Sequence, residues 1–186
     1  MTAYTLLVHN TSPSRVAVAL SPQIDDVAQI AWRTAVVEPF AAARFRWTLR
    51  YAFFAARTGP LHAGAIVRPS AVAEADPVQR NLVTLAYDHS FRFEHPEQHP
   101  EAGVLIVRQN ADIPRRRGAV GVAIDGKPAA AVQAQPNIDV RFVLHPTWWV
   151  ITAAHFDEGQ LLEEGRIRSA HHVVFLDGAR EARIEV

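Results

Sequence analysis

Two histidines and one carboxylate near the C-terminal end of the sequence could together hold a metal ion. His155 and Asp157 are two residues apart, so on a strand their side chains lie on one face. His171 or His172 would complete a two-histidine, one-carboxylate set of the kind that binds non-haem iron. The last histidine follows Asp157 more closely than in familiar β-sandwich iron oxygenases. We therefore expect exposed polar residues at a strand end, and no cofactor.

A second donor-rich stretch, residues 88–100, contains His89, His95 and His99 interspersed with acidic residues. Its prolines indicate a loop, and histidines in flexible loops bind metals weakly. We expect a solvated loop, with a metal site or pH sensing by histidine as the alternatives.

Linear signatures of other catalytic chemistry are missing from the sequence. There is no cysteine, which excludes disulfides, zinc-thiolate sites and cysteine nucleophiles. There is also no G-x-S-x-G nucleophile elbow and no glycine-rich phosphate loop. This favours a binding or structural role, although a site assembled from distant residues would leave no such trace.

An alternating run of arginines is the clearest candidate for a charged binding surface. In residues 44–53, apolar side chains alternate with a largely cationic face that contains Arg44, Arg46 and Arg50. We expect one outer strand with solvated arginines. The alternative is a stripe that binds an acidic partner or ligand.

Residues 115–117 are three consecutive arginines and predict a solvated basic loop. A phosphate or nucleic-acid contact is the alternative, but no aromatic residue is interleaved there to support it.

Trp148 and Trp149 are adjacent, so on a strand they point to opposite faces. We expect one to fill the core and the other to face solvent, another sheet or a partner. Because exposed large aromatic side chains often mark interfaces, we take contact with a protein or peptide as the working hypothesis for the outward ring. Pairing of edge strands makes a homodimer the expected assembly.

Length and charge bound the class of protein. The 186 residues fit one domain, residues 1–186. With 19 basic and 19 acidic side chains the formal net charge is zero, which argues against nucleic acid or a membrane surface as partner. No run approaches the roughly 20 apolar residues of a membrane-spanning helix, and the N-terminus lacks the features of a signal peptide. We expect a soluble, cytoplasmic protein.

Period-2 alternation and turn formers indicate that strands position all of these residues. Residues 4–9 and 15–20 predict one hairpin, and residues 132–135 and 138–144 another around Pro136 and Asn137, followed by a strand at 148–156. Asp-Gly pairs at 125–126 and 177–178 predict tight turns between further strands. The pattern predicts an all-β fold, an antiparallel β-sandwich of two packed sheets with few or no helices.

Seven motifs follow one another along the chain: YTLLVHNTS near the N-terminus, QIAW (29–32), FRWTLRYAF (45–53), NLVTLAYD, GAVGVAI (118–124), VQAQPN (132–137) and HPTWWVITAAHFDEGQLL (145–162). Their order resembles the RhiA-like family, named for the rhizosphere-expressed protein RhiA of rhizobia, up to about residue 162. The resemblance implies a compact, strand-rich protein and brings no agreed catalytic residue or cofactor. Residues 125–128 and 163–186 depart from the family pattern.

We therefore expect a non-catalytic binding or structural protein that self-associates and recognises a peptide, protein or small ligand. One alternative is an enzyme, or an accessory subunit of a multi-protein enzyme, in bacterial peptide natural-product biosynthesis. In that case the group of His155, Asp157 and His171 would be the first to mutate. A third possibility is a structural or storage protein with no defined ligand.

Overall fold

The structure, a computed structural model, describes residues 3–175 and 178–186, and nearly all of its regular elements are β-strands. In that described part of the chain the single helical element is a 3-10 turn at Glu164–Arg166. The strands are β1 (Ala3–His9), β2 (Val16–Ile24), β3 (Ala28–Gln29), β4 (Arg33–Val37), β5 (Ala42–Thr48), β6 (Tyr51–Ala56), β7 (Ala71–Ala75), β8 (Leu82–Asp88), β9 (Ser90–Glu97), β10 (Val104–Gln109), β11 (Ala119–Ile124), β12 (Lys127–Gln133), β13 (Asp139–Ala153), β14 (Ser169–Val174) and β15 (Glu181–Glu185).

These strands form three hydrogen-bonded sheets. The seven-stranded sheet has the order β4-β2-β13-β10-β8-β9, with β14 also paired to β13. The five-stranded sheet has the order β3-β12-β11-β6-β7, and the three-stranded sheet the order β15-β1-β5. Two pairings, β1 with β15 and β8 with β10, are parallel, and the other described ladders are antiparallel. The all-β prediction is confirmed, and the sheets pack around a main core to which all three contribute, as in a sandwich.

The centre of the five-stranded sheet, strand β11, is buried on both faces. Along β11, Val120 and Val122 point into the main core, whereas Ala119 and Ala123 point into a second, smaller cluster. Every residue of β11 is buried, because the alternation here is between large and small apolar side chains and not between apolar and polar ones. The loops around residues 61–67 and Leu161 cover the outer face.

The tight turn at Asp125 and Gly126 is confirmed. These residues join β11 to β12, and both have positive φ, 50° and 78°, as a type I′ turn requires. Asp125 tolerates this backbone because aspartate visits the left-handed region more readily than most non-glycine residues.

The predicted single strand over residues 44–53 is wrong in its length. β5 ends at Thr48 and lies in the three-stranded sheet, while β6 begins at Tyr51 and lies in the five-stranded sheet. The alternation itself holds within β5, where Phe45 and Trp47 are buried. Arg44 and Arg46, which alternate with them, are exposed. The chain changes sheets at Leu49 and Arg50, and the Arg50 carbonyl accepts a hydrogen bond from the Asp125 amide.

The predicted hairpin around Pro136 and Asn137 is also wrong. β12 pairs with β11 and β3, whereas β13 pairs with β10, β2 and β14, so residues 134–138 carry the chain from one sheet to another. Asn137 has a φ of 58°, which turns the chain at this crossing. β13 then continues through His145 and Pro146. The register shift between Leu144 and Trp148 leaves Pro146 without a directly paired residue on β2, so its missing N–H interrupts no ladder hydrogen bond there.

Neither the hairpin predicted near the N-terminus nor the one predicted near the C-terminus is found among the described strands. β1 pairs with β5 and β15, and β2 pairs with β13 and β4, so the turn formers between them make a crossing between sheets. Asn10 anchors that crossing: it is fully buried and its Nδ2 donates to the carbonyls of Ser14, Val37 and Glu38. At the other end β14 and β15 lie in different sheets. The predicted turn at residues 177–178 lies partly outside the described residues.

In the described part of the chain, no helix has the length and apolar character needed to cross a membrane.

Candidate ligand-binding pocket

Three of the four tryptophans form one cluster where the sheets meet. The Trp148 ring of β13 lies 5.0 Å from that of Trp32 and 4.8 Å from that of Trp47, centroid to centroid. Trp32 and Trp47 meet edge to face at 5.7 Å, and all three are almost fully buried. Trp32 Nε1 donates to the Ile124 carbonyl of β11 at 2.9 Å. The cluster therefore joins all three sheets, and its large buried rings stabilise their relative positions.

A pocket of about 280 Å³ opens beside this cluster, and we call it the aromatic pocket. Tyr4 of β1, Tyr51 of β6 and Trp148 of β13 contribute one ring from each of the three sheets. The remaining walls are mostly aliphatic or aromatic: Leu49, Pro77, Gly103, Leu144, His145, Pro146, Phe175, Gly178 and Ala179. The pocket exists only once the three sheets have assembled.

Tyr4 and Tyr51 bring two hydroxyl groups to this mostly apolar pocket. Within residues 3–175 and 178–186 neither hydroxyl has a hydrogen-bond partner. Burial raises the pKa of Tyr51 to about 12, and the nearby Tyr4 hydroxyl contributes to the same shift. Tyr51 is therefore protonated at physiological pH and can donate a hydrogen bond to an acceptor in the pocket.

Two further polar groups lie around the aromatic pocket. His145 is one of its lining residues, and its Nε2 lies 2.6 Å from Asp25 Oδ2 with both side chains partly exposed. Trp47 Nε1 is buried and has no hydrogen-bond partner among the described residues, and the Trp47 ring stacks on Tyr4 and contacts Phe175. Apolar walls with a few convergent polar groups are typical of sites for small molecules.

Comparison with known proteins settles the family. The RhiA family model matches residues 1–184. The chain belongs to the RhiA family. Protein RhiA of Rhizobium leguminosarum bv. viciae is 26% identical to it over 132 residues, which cover 71% of this chain and 57% of the relative. The chain thus spans less than two thirds of the length of that relative. No solved structure gives a significant match.

The family match extends beyond the expected limit at residue 162. It includes β14 and most of β15, so the expected departure over residues 163–186 does not remove that segment from the RhiA family. β15 is integral to the fold because it pairs with β1 along five residues.

The two adjacent tryptophans of this RhiA-family protein do point to different surroundings. Trp148 is 3% exposed and forms a wall of the aromatic pocket. Trp149 is half-buried, and its ring centroid lies 4.8 Å from that of His172 on the neighbouring β14. Trp148, which lines the pocket, is thus the inward-facing tryptophan. The outward-facing Trp149 is partly covered by the imidazole of His172.

The three arginines predicted as one stripe are separated in the structure. Arg44 and Arg46 are exposed on the outer face of β5. Arg50 lies in the turn after β5, where its Nη2 is 3.0 Å from Asp125 Oδ1. Arg50 is therefore engaged with a carboxylate of the protein itself.

The candidate metal ligands are not brought together. His155 Nε2 lies 3.3 Å from Asp157 Oδ1, and both side chains are largely exposed. His171 and His172 lie on β14, where antiparallel pairing places them opposite Val150 and Trp149, away from the end of β13. In the described residues no group of three or more His, Cys, Asp or Glu side chains is placed to hold a metal ion, and this also applies to the histidines of residues 88–100. The loop predicted over residues 88–100 is wrong for most of its length, because Ser90–Glu97 form β9 and pair with β8.

Sequence reasoning missed Tyr4, Tyr51 and Phe175 as members of a site. Each lies in a run that predicts a strand, and a tyrosine or phenylalanine there is typical of core packing. Their convergence depends on β1, β6 and the segment after β14 meeting from distant parts of the chain. The linear sequence contains no signal for that meeting.

Proposed function

We propose that this RhiA-family protein acts by binding a small, neutral, largely aromatic molecule in the aromatic pocket. The observation that carries the proposal is the pocket itself: aromatic rings from three sheets line it, and the hydroxyls of its two tyrosines have no hydrogen-bond partner among the described residues. The expected binding role is thereby restricted to one class of ligand, small neutral aromatic molecules.

The chemistry of the walls favours a flat, uncharged ligand. Tyr4, Tyr51 and Phe175 are half-buried and line the pocket with rings against which an aromatic ligand can pack. A charged ligand would lose its hydration against these walls, because no described lysine, arginine, aspartate or glutamate lines the pocket to compensate. The Tyr51 hydroxyl, which stays protonated, would donate to a carbonyl or ether oxygen of the ligand.

Flavone, a neutral planar ketone, is a suitable first probe. Because Trp148 lines the pocket and contacts Trp32 and Trp47, a bound flavone should quench tryptophan emission saturably. The variant Tyr51→Phe should bind flavone about 3 to 10 times more weakly, as expected for loss of one hydrogen bond of about 1 kcal/mol. Leu49→Glu, which places a charge on an exposed part of the wall, should weaken binding further.

Tyr87→Phe is the matched control. Tyr87 is also half-buried on a strand, but its hydroxyl accepts from Arg57 Nη2 at 3.3 Å and it does not line the pocket. Its removal should leave flavone affinity unchanged. Quenching that does not saturate, or equal affinities for the parent chain, Tyr51→Phe and Leu49→Glu, would refute binding in the aromatic pocket.

A further inference from the structure

The basic loop at residues 115–117 borders an open cleft of about 590 Å³, which we call the arginine cleft. Arg115 and Arg116 line one side, Pro60 and Leu61 the other, and Gln133 and Gln135 complete the lining. No part of the aromatic pocket is shared with it.

The described part of the chain does not neutralise the positive charge of the arginine cleft. No described carboxylate lines the cleft, and neither Arg115 nor Arg116 forms an ion pair with any described residue. The acidic residue of the same loop, Asp112, accepts a hydrogen bond from the Tyr87 amide instead. Because the whole chain has a formal net charge of zero, this is a local region of positive potential.

The loop is held firmly at both ends. Ile113 on one side is buried in the main core. On the other side Gly118 is buried so closely that a Cβ there would lie 2.4 Å from the Phe91 ring. Arg116 between them has a φ of 58°, a backbone conformation that non-glycine residues adopt uncommonly and that often occurs at functional sites. The arginines are thus presented by a defined loop and not by a free chain.

One side chain fixes both walls of the cleft. Gln133 Oε1 accepts from the Leu61 amide at 2.7 Å, and Gln133 Nε2 donates to the Gly118 carbonyl at 2.5 Å. Gln133 and Gln135 are the two glutamines of the VQAQPN motif. Gln135 lines the cleft, and its side-chain amide makes no hydrogen bond with a described residue, so it can contact a ligand.

We propose that the arginine cleft binds a small oxyanion, a molecule that carries a phosphate or a carboxylate group. Guanidinium groups bind these anions through pairs of parallel hydrogen bonds, and the Gln135 amide supplies a neutral donor and acceptor for the rest of the ligand. A small anion fits the cleft better than a nucleic acid does, because no aromatic residue lines it to stack on bases. This site is independent of the function proposed for the aromatic pocket.

The test is a titration of the full chain with inorganic phosphate and, separately, with citrate at low ionic strength, followed by amide chemical shifts in NMR spectra. We expect saturable shifts in the amides of Ile113, of residues 115–118 and of Leu61. The double variant Arg115→Gln/Arg116→Gln should bind the anions at least about tenfold more weakly, as loss of charge-assisted hydrogen bonds implies. The more tightly bound of the two anions identifies whether phosphate or carboxylate is preferred.

Arg44→Gln/Arg46→Gln is the matched control, because it removes two exposed arginines of the outer face of β5 without touching the cleft. It should leave both affinities unchanged. Equal weakening by the two double variants would mean that the anions respond only to overall charge and would overturn the proposal. A single-stranded oligonucleotide that binds through Arg115 and Arg116 while phosphate and citrate do not bind would overturn it as well. Melting temperatures confirm that both variants are folded.

Discussion

Asp125 is the residue that fixes the end of the β11–β12 turn to the strands around it. Its carboxylate lies 2.6 Å from Arg33 Nη2, 3.0 Å from Arg50 Nη2 and 2.7 Å from Thr48 Oγ1. Burial favours the neutral form of this carboxyl, but the hydrogen bonds from Thr48 and Arg50 and the charges of both arginines outweigh it, so the pKa of Asp125 is lowered. The ionised form therefore contributes to the stability of the fold.

We predict that Asp125→Asn lowers the free energy of unfolding at neutral pH by about 1 to 2 kcal/mol, because the amide keeps the turn but loses the charge. The contribution of Asp125 is present above the ordinary pKa of an aspartate and is lost as pH falls through the lower folded-state pKa. Denaturant unfolding at neutral and acidic pH measures this, and the difference between parent and variant should shrink in acid. In the control Asp139→Asn, where the half-exposed carboxylate lies 3.5 Å from Arg108, the change should stay within about 0.5 kcal/mol.

Exposure of single residues is predictable from the sequence, whereas their partners are not. The alternation in β5 places Arg44 and Arg46 outside correctly. It cannot show that Arg50 reaches Asp125, because 75 positions separate them and only the pairing of β6 with β11 brings them together. For the same reason, the proximity of Tyr4 and Tyr51 cannot be predicted from the sequence.

At the scale of elements, β11 is packed so tightly that it tolerates little increase in side-chain size. It lies between β6 and β12, and a Cβ on Gly121 would stand 2.1 Å from the Ala130 carbonyl oxygen and 2.6 Å from the Phe54 ring. The Ala130 carbonyl is part of the backbone, so it cannot shift away from an added Cβ as the end of a flexible side chain could. Glycine is required here by close approach, with no need for positive φ.

We predict that Gly121→Ala destabilises the protein by about 3 kcal/mol or more, at the upper end of the cost of overpacking a core. Gly165→Ala is the control, since a Cβ there meets no atom within 4 Å. Urea unfolding curves of the two variants should therefore separate clearly. Similar midpoints for Gly121→Ala and the parent chain would contradict the tight packing of β11.

The positions of most strands follow from the sequence, but their pairing does not. Period-2 patterns and turn formers locate β1, β8, β11 and β12 because those signals are local. Whether a turn joins neighbours in one sheet or carries the chain to another sheet depends on distant contacts. The Asp125-Gly126 turn makes a hairpin, while Pro136 and Asn137 make a crossing, although both look like hairpin turns in the sequence.

At the scale of the whole molecule, self-association stays a prediction. β4 is an edge of the seven-stranded sheet, and Val36 on it is 59% exposed. An exposed apolar residue on an edge strand favours pairing with a second copy of the chain. We expect light scattering after size exclusion to show a dimer that Val36→Lys converts to monomer.

Val78→Lys is the control for that experiment, because Val78 is 55% exposed but lies in a turn between β7 and β8. It should leave the molar mass unchanged. A monomeric parent chain at high concentration, or dissociation by Val78→Lys as well, would rule out association through β4.

The parallel pairing of β15 with β1 has a consequence for biosynthesis. β1 supplies Leu6 and Val8 to the core and lies between β5 and β15, with Thr5 opposite Glu181. A nascent chain leaving the ribosome can form the β1–β5 ladder early, but the other edge of β1 stays unpaired until β15 has been translated. Ala182 and Ile184, which pack on the core, arrive only with β15. The three-stranded sheet is therefore completed late in synthesis, and the waiting edge of β1 is the place where a chaperone would protect the unfinished chain.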